Sequence, residues 1–173
     1  AGTLPAPLHW RLFPEFRHSI AYLDIETTGL APPQDKITTI ALYDGRQIQY
    51  YVNGQNLDQF GHDIQDYRVL VTYNGKCFDV PFIERSLGVR LSQVHLDLRY
   101  ILRALGFTGG LKGCERQLGI ERHGVEEVDG FMAVLLWQEY KRRRNKRALE
   151  TLLCYNIHDA VNLEALLVKA YNL

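Results

Sequence analysis

Residues Tyr22-Leu23-Asp24-Ile25-Glu26-Thr27-Thr28-Gly29-Leu30 place two carboxylates inside an otherwise apolar, strand-forming run. Strand side chains alternate between faces, so Asp24 and Glu26 share one face while Leu23 and Ile25 point to the other. Two like charges about 7 Å apart along a strand repel each other and lose hydration as the sheet is covered. A chain that buries this strand has to bring a cation between them. A hard divalent ion such as Mg2+ or Mn2+ takes oxygen ligands and leaves room for water and phosphate oxygens. The Thr-Thr-Gly that follows marks a turn whose backbone can approach a ligand closely. An exposed edge strand that merely carries two acids is the alternative on this stretch alone.

Periodicity supplies the elements around it. Residues 1–18 carry Pro5, Pro7 and Pro14 among scattered apolar side chains and read as an irregular arm anchored by Trp10 and Phe13, ahead of one domain over residues 19–173. Residues 19–26 and 36–43 are strands, Asp44-Gly45 is a hairpin turn, and residues 46–52 alternate Ile48, Tyr50 and Val52 against Gln47, Gln49 and Tyr51. These three strands form an antiparallel meander. Residues 56–66 set Leu57, Phe60 and Ile64 at helical spacing before a buried strand at 68–73, and residues 78–86 are helical before a short strand at 94–96. Helices at 97–105, 111–118, 132–143 and 146–171 complete the chain. The last takes Leu149, Leu152, Leu153, Ile157, Val161, Leu163, Leu166 and Leu167 as its apolar stripe. Three antiparallel strands, then two parallel strands fed by helices, predict an α/β fold with a mixed sheet flanked by helices, an order that resembles the ribonuclease H-like fold.

Composition excludes several classes. Twenty Lys plus Arg balance 20 Asp plus Glu, so binding to a polyanion has to come from local patches. Cys77, Cys114 and Cys154 are widely spaced, which suits neither a zinc site nor a disulfide framework and fits reduced, buried thiols. No apolar run approaches the roughly 18 residues of a membrane span, and no signal pattern opens the chain. A soluble, cytoplasmic protein without a membrane partner is expected.

Two further acids stand in settings like the first. Asp79 closes Tyr73-Asn74-Gly75-Lys76-Cys77-Phe78-Asp79, where an acid entering a helix also serves the helix dipole and its free N–H groups. Asp159 lies within the last helix, on the face of Tyr155, whereas the adjacent His158 points about 100° away. Asp-Ile-Glu-Thr-Thr-Gly-Leu, Asn-Gly-x-x-Phe-Asp and Tyr-x-x-x-Asp, in that order, resemble the three exonuclease motifs of the DEDD (DnaQ-like) superfamily. The chain looks most similar to ribonuclease H-like exonucleases related to the proofreading domain of B-family DNA polymerases. Histidine-type members of that superfamily carry histidine where this chain has Cys154. Tyr155 stands where tyrosine-type (DEDDy) members have tyrosine, which assigns the chain to that type.

The resemblance implies that Asp24, Glu26, Asp79 and Asp159 bind two Mg2+ or Mn2+ ions roughly 3.5–4 Å apart, with Asp24 bridging them. It implies that Tyr155 orients the attacking water, and that the chain is a 3′–5′ exonuclease releasing nucleoside 5′-monophosphates from a single-stranded DNA or RNA 3′ end. Thr27, Thr28 and Leu30 are then expected beside the terminal nucleotide, and Asn74 and Phe78 along the same cleft, with a core role equally suited to Phe78. Because the acids lack basic partners in sequence, the metals and the phosphate are expected to be their counter-charges. A non-catalytic nucleic-acid-binding module and a structure-specific endonuclease of the same fold are the competing readings. Retention of all four acids together with Tyr155 favours the exonuclease. The basic run Tyr140-Lys141-Arg142-Arg143-Arg144-Asn145-Lys146-Arg147 is either a solvated helix end or a patch that tracks phosphates. Gly109-Gly110-Leu111-Lys112 lacks phosphate-loop spacing and reads as a helix start.

Overall fold

Strand β1 (Ile20–Thr27) is buried on both faces over its first four residues, and it pairs with one neighbour over Tyr22–Thr27 and with another over Ile20–Tyr22. The computed structural model describes residues 5–122, 124–125 and 127–173. Its sheet has the order β3-β2-β1-β4-β5. β2 (Ile37–Tyr43) and β3 (Ile48–Val52) form the antiparallel meander with β1, while β4 (Val69–Thr72) and β5 (Val94–Asp97) are parallel to it. This is the mixed sheet the sequence predicts. The hairpin turn also forms as expected: Asp44 Oδ1 accepts the N–H groups of Arg46 and Gln47, and Gly45 supplies a positive φ of 89°.

Helices α1 (Phe60–Asp63) and α2 (Asp79–Leu87) cover one face of the sheet, where Leu23, Ile25, Ile40, Leu70, Phe82 and Ile83 form a buried cluster. The other face is covered by α3 (Leu98–Ala104), α4 (Gly110–Gln117), α5 (Gly130–Arg143) and α6 (Lys146–Tyr171). There Ile20 and Tyr22 pack with Leu98, Leu102, Leu163, Leu166 and Leu167. The even-numbered residues of β1 thus face α6. Two apolar side chains lead along that face to Asp24 and Glu26.

Five local expectations are corrected. Of the three thiols expected to be buried, Cys114 is, while Cys77 and Cys154 are exposed. The arm is not irregular: residues 6–19 wind as a 3-10 helix, which tolerates its prolines in short turns, with Trp10 and Phe13 buried as expected. Residues 1–4 of the arm lie outside the described residues. The single helix expected over 56–66 is divided into a 3-10 turn (Leu57–Gln59), α1, and a second 3-10 turn (Ile64–Asp66). Phe60 and Ile64 are still buried, so the spacing was read correctly and the regular hydrogen bonding was not. On β3, Ile48 and Tyr50 are exposed while Tyr51 is buried, stacked edge-on against Phe60 with its hydroxyl donating to Asp63 Oδ2 at 2.8 Å. On α6, Leu149, Leu153, Ile157 and Val161 only flank the buried face. That face instead carries Tyr155, Asn156 and Asp159 between Leu152 and Leu163.

Candidate active site

Asp24, Glu26 and Asp159 each offer a carboxylate oxygen, and the three lie within 4.8 Å of one another. β1 supplies the first two from one face, and α6 lays Asp159 across them. Asp24 is oriented by Asn156, whose Nδ2 donates to the Asp24 carboxylate at 2.7 Å and to its backbone carbonyl at 3.1 Å. Asn156 Oδ1 accepts the Thr39 hydroxyl at 2.8 Å, so one wholly buried amide ties α6 to both β1 and β2. At the same end of β1 the register with β2 shifts between Glu26 and Thr27.

Asp79 is buried at the first position of α2, outside the group of three. Its Oδ1 accepts the Ile25 N–H at 3.2 Å, which seats it against β1 at the residue between Asp24 and Glu26. The loop that delivers it is tightly specified. Asp97 accepts the N–H groups of Asn74 at 2.7 Å and Lys76 at 3.0 Å, and Asn74 adopts a φ of 62°. At Gly75 a Cβ would come within 2.3 Å of Thr72 Oγ1, so only glycine fits there.

Tyr155 is buried one helical turn before Asp159, its ring flanked by the Lys112 ammonium at 5.2 Å and the Arg122 guanidinium at 5.9 Å. His158 is half-buried and is not part of the acid group. The remaining candidates are placed unevenly. The Thr27 hydroxyl donates to Gly29 O at 2.6 Å, and the Thr28 hydroxyl accepts the Lys36 N–H at 2.9 Å and donates to Asp35, so both side chains hold the turn itself. Leu30, 81% exposed, projects from that turn. The Asn74 side chain accepts from Arg99 at 2.6 Å. Phe78 lies 5.4 Å from Phe82 and packs against the core.

The acids lack basic partners in sequence, as expected, but the fold brings one to them besides the expected metals and phosphate. Arg122, on the segment after α4, sets Nη1 2.6 Å from Asp159 Oδ1, while its Nε and Nη2 bind Glu115 at 2.5 and 2.9 Å. Sequence reasoning missed Arg122 because it lies in an irregular segment without a repeating pattern. Asn156 had a legible signal, since it sits on the same helical face as Asp159.

The electrostatics remain unfavourable to four ionised acids. Burial, then Asp159, Glu26 and Asp79, hold the Asp24 carboxyl well above its usual range, and burial with Asp159 and Asp79 does the same to Glu26. Burial pushes Asp159 up to about 6 against the pull of Arg122, and Asp79 up to about 7. Asp159 Oδ1 is buried, and its contact is the ion pair with Arg122 Nη1 at 2.6 Å. Hard oxygen donors converging in one cluster, their carboxyls raised by burial and by one another, fit a divalent cation of the Mg2+ or Mn2+ kind.

The family model described as RNase_H superfamily matches residues 21–171. No curated protein sequence matches the chain. Among solved structures, the family B DNA polymerase from the hyperthermophilic archaeon Pyrobaculum calidifontis superposes with a TM-score of 0.63 at 16% identity. That match covers 86% of this chain and 24% of the polymerase, so this chain spans about a quarter of that protein's length. A nuclease in its apo form superposes with a TM-score of 0.61 at 20% identity, covering 89% of this chain and 72% of the nuclease. At these identities the likeness is one of fold.

Proposed function

This chain belongs to the RNase_H superfamily, and from that premise we propose that it is a metal-dependent 3′–5′ exonuclease of the tyrosine (DEDDy) type. Its substrate is a single-stranded DNA or RNA 3′ end, and its product a nucleoside 5′-monophosphate. One observation carries the reading: carboxylate oxygens of Asp24, Glu26 and Asp159 converge within 4.8 Å, and Tyr155 stands one turn away on the helix that supplies Asp159. The fold it shares with a B-family polymerase and with a nuclease supports the same reading.

Asp24, Glu26 and Asp159, with Asp79 beside them, would hold two Mg2+ or Mn2+ ions. When bound, these supply a nucleophile at neutral pH and stabilise the charge that develops on the departing 3′ oxygen. Burial, then the nearby acids, raise the Tyr155 phenol well above its ordinary value, so it stays protonated. Its role is to hold and orient the attacking water by hydrogen bond, since a neutral phenol of this kind is no general base at neutral pH. Asn156 fixes the Asp24 carboxylate in its rotamer through the 2.7 Å bond. The exposed Leu30, on the turn that leaves β1, offers an apolar surface to the terminal base. Residues 19–173 act as the catalytic domain, with the arm packed on it through the edge-on contact of Phe13 with Tyr171.

Labelled oligonucleotides with free or blocked 3′ ends, incubated with Mn2+, test the proposal. Stepwise shortening of free ends alone is expected. Internal cuts in blocked strands would favour the endonuclease, and binding without cleavage would favour the non-catalytic module.

A further inference from the structure

Arg122 sits in the acid cluster without a part in the reaction just described. Its guanidinium is engaged on two sides. Nε and Nη2 grip the Glu115 carboxylate at 2.5 and 2.9 Å, and Glu115 Oε1 also accepts Asn162 Nδ2 at 3.0 Å. Glu115 and Arg122 are both buried. A planar fork held in this two-pronged way has its orientation set by α4 and α6, not by the acid it reaches. The remaining nitrogen, Nη1, rests 2.6 Å from the buried Asp159 Oδ1.

We propose that Arg122 is a built-in competitor for the divalent cation at Asp159 Oδ1, held in place by Glu115 so that a cation gains that oxygen only by displacing Nη1. The inference rests on the metal-dependent reading above and goes beyond it, because it makes metal occupancy a property tuned by a residue outside the four acids. A cation cannot approach the buried Oδ1 while a guanidinium nitrogen stands at ion-pair distance from it. A fixed positive charge beside the ligand set also opposes a second one through a medium of low polarity. Glu115 is here a positioning residue. It keeps Arg122 from swinging out to solvent and spreads the guanidinium charge over a second carboxylate, which leaves Asp159 the weaker of the two grips.

The test is calorimetric titration of Mn2+ into wild-type protein and into the double variant Arg122→Gln, Glu115→Gln, which removes both buried charges together and leaves neither unpaired. At least tenfold tighter Mn2+ binding by the double variant is expected. Arg122→Lys, which keeps the charge, is expected to stay within threefold of wild type. Should the double variant not fold, wild-type protein decides the matter: on titration with diamagnetic Mg2+, the Arg122 guanidinium nitrogen resonances shift in step with the binding heat. Equal or weaker Mn2+ affinity in the double variant overturns the inference and leaves the metal-dependent reading standing, as do guanidinium resonances that ignore Mg2+. Absence of Mn2+ binding in every variant overturns the metal-dependent reading itself, and the inference falls with it.

Discussion

Replacing Asp79 by asparagine in the metal-free protein weighs the electrostatic strain of the acid cluster directly. Asp79 is 5% exposed, and burial raises its carboxyl from 3.8 to about 7, with Asp97 and Asp159 adding to the rise and the N–H groups of Asp79 itself and Ile25 opposing it. The folded state therefore keeps a proton that the unfolded chain gives up. Stability from this group is fully present below pH 3.8, falls by about 1.4 kcal/mol per pH unit through the window up to about pH 7, and levels off above it. Across the whole window that amounts to a loss of about 4 kcal/mol. An asparagine keeps a carbonyl oxygen for the Ile25 N–H and carries no charge, so Asp79→Asn escapes the loss. Urea unfolding in EDTA should find the variant more stable than wild type by about 2–4 kcal/mol at pH 7.5, with the difference closing towards pH 4.5. Added Mg2+ should narrow or reverse the gap at pH 7.5, because it neutralises the strain only where the full acid set remains. A variant no more stable than wild type at pH 7.5 in EDTA would refute the argument.

Tyr155→Phe should lower single-turnover cleavage by about a hundredfold while leaving Mn2+ binding and the unfolding midpoint close to wild type, and His158→Ala should cleave normally. Normal cleavage by Tyr155→Phe alongside an inactive His158→Ala would overturn the subtype. Asn156→Ala removes three hydrogen bonds from a wholly buried amide and should cost about 2–4 kcal/mol in urea unfolding, with Thr39→Val partly additive because it removes one stranded partner. Arg142, Arg143 and Arg144 are exposed at the end of α5, and neutralising them together should flatten the slope of log affinity for a single-stranded oligonucleotide against log salt by about 0.7 per lost phosphate contact. An unchanged slope would return the run to a solvated helix end.

The sheet was legible because its signals are local. The β-branched and apolar residues of 36–43 and the Asp-Gly turn specify a hairpin before anything else is known. Apolar counting failed where function has replaced apolar residues. On α6 it favoured Leu149, Leu153, Ile157 and Val161, yet the buried face at this level is built from Tyr155, Asn156 and Asp159, so the polar cluster turned the apparent stripe towards the helix flanks. The three motif acids of β1 and α6 were found from their pattern and do converge, with Asp79 placed beside them. Arg122 could not be found this way. Its partners, Glu115 and Asp159, lie on two different helices, and no periodicity links the three.

One helix crossing one strand accounts for both halves of this arrangement. α6 runs antiparallel to β1: Leu163, Leu166 and Leu167 lie with Ile20 and Tyr22, and Asn156 and Asp159 lie with Asp24 and Glu26. A strand advances about 3.3 Å per residue and a helix about 1.5 Å. From Asp24 back to Ile20 is therefore about 13 Å, and from Asp159 on to Leu167 about 12 Å. The two elements stay in step over that distance, so the apolar end fixes the angle and height at which the acid end meets. The acids gain nothing from meeting one another, since each raises the others' carboxyls. Their approach is imposed by the wholly buried contacts of Ile20 and Leu166 at the far end and by the Asn156 amide at the near end. Packing therefore holds the cluster in a geometry that its own charges oppose, which is the condition under which a divalent cation, in place of the Arg122 guanidinium, is bound most favourably.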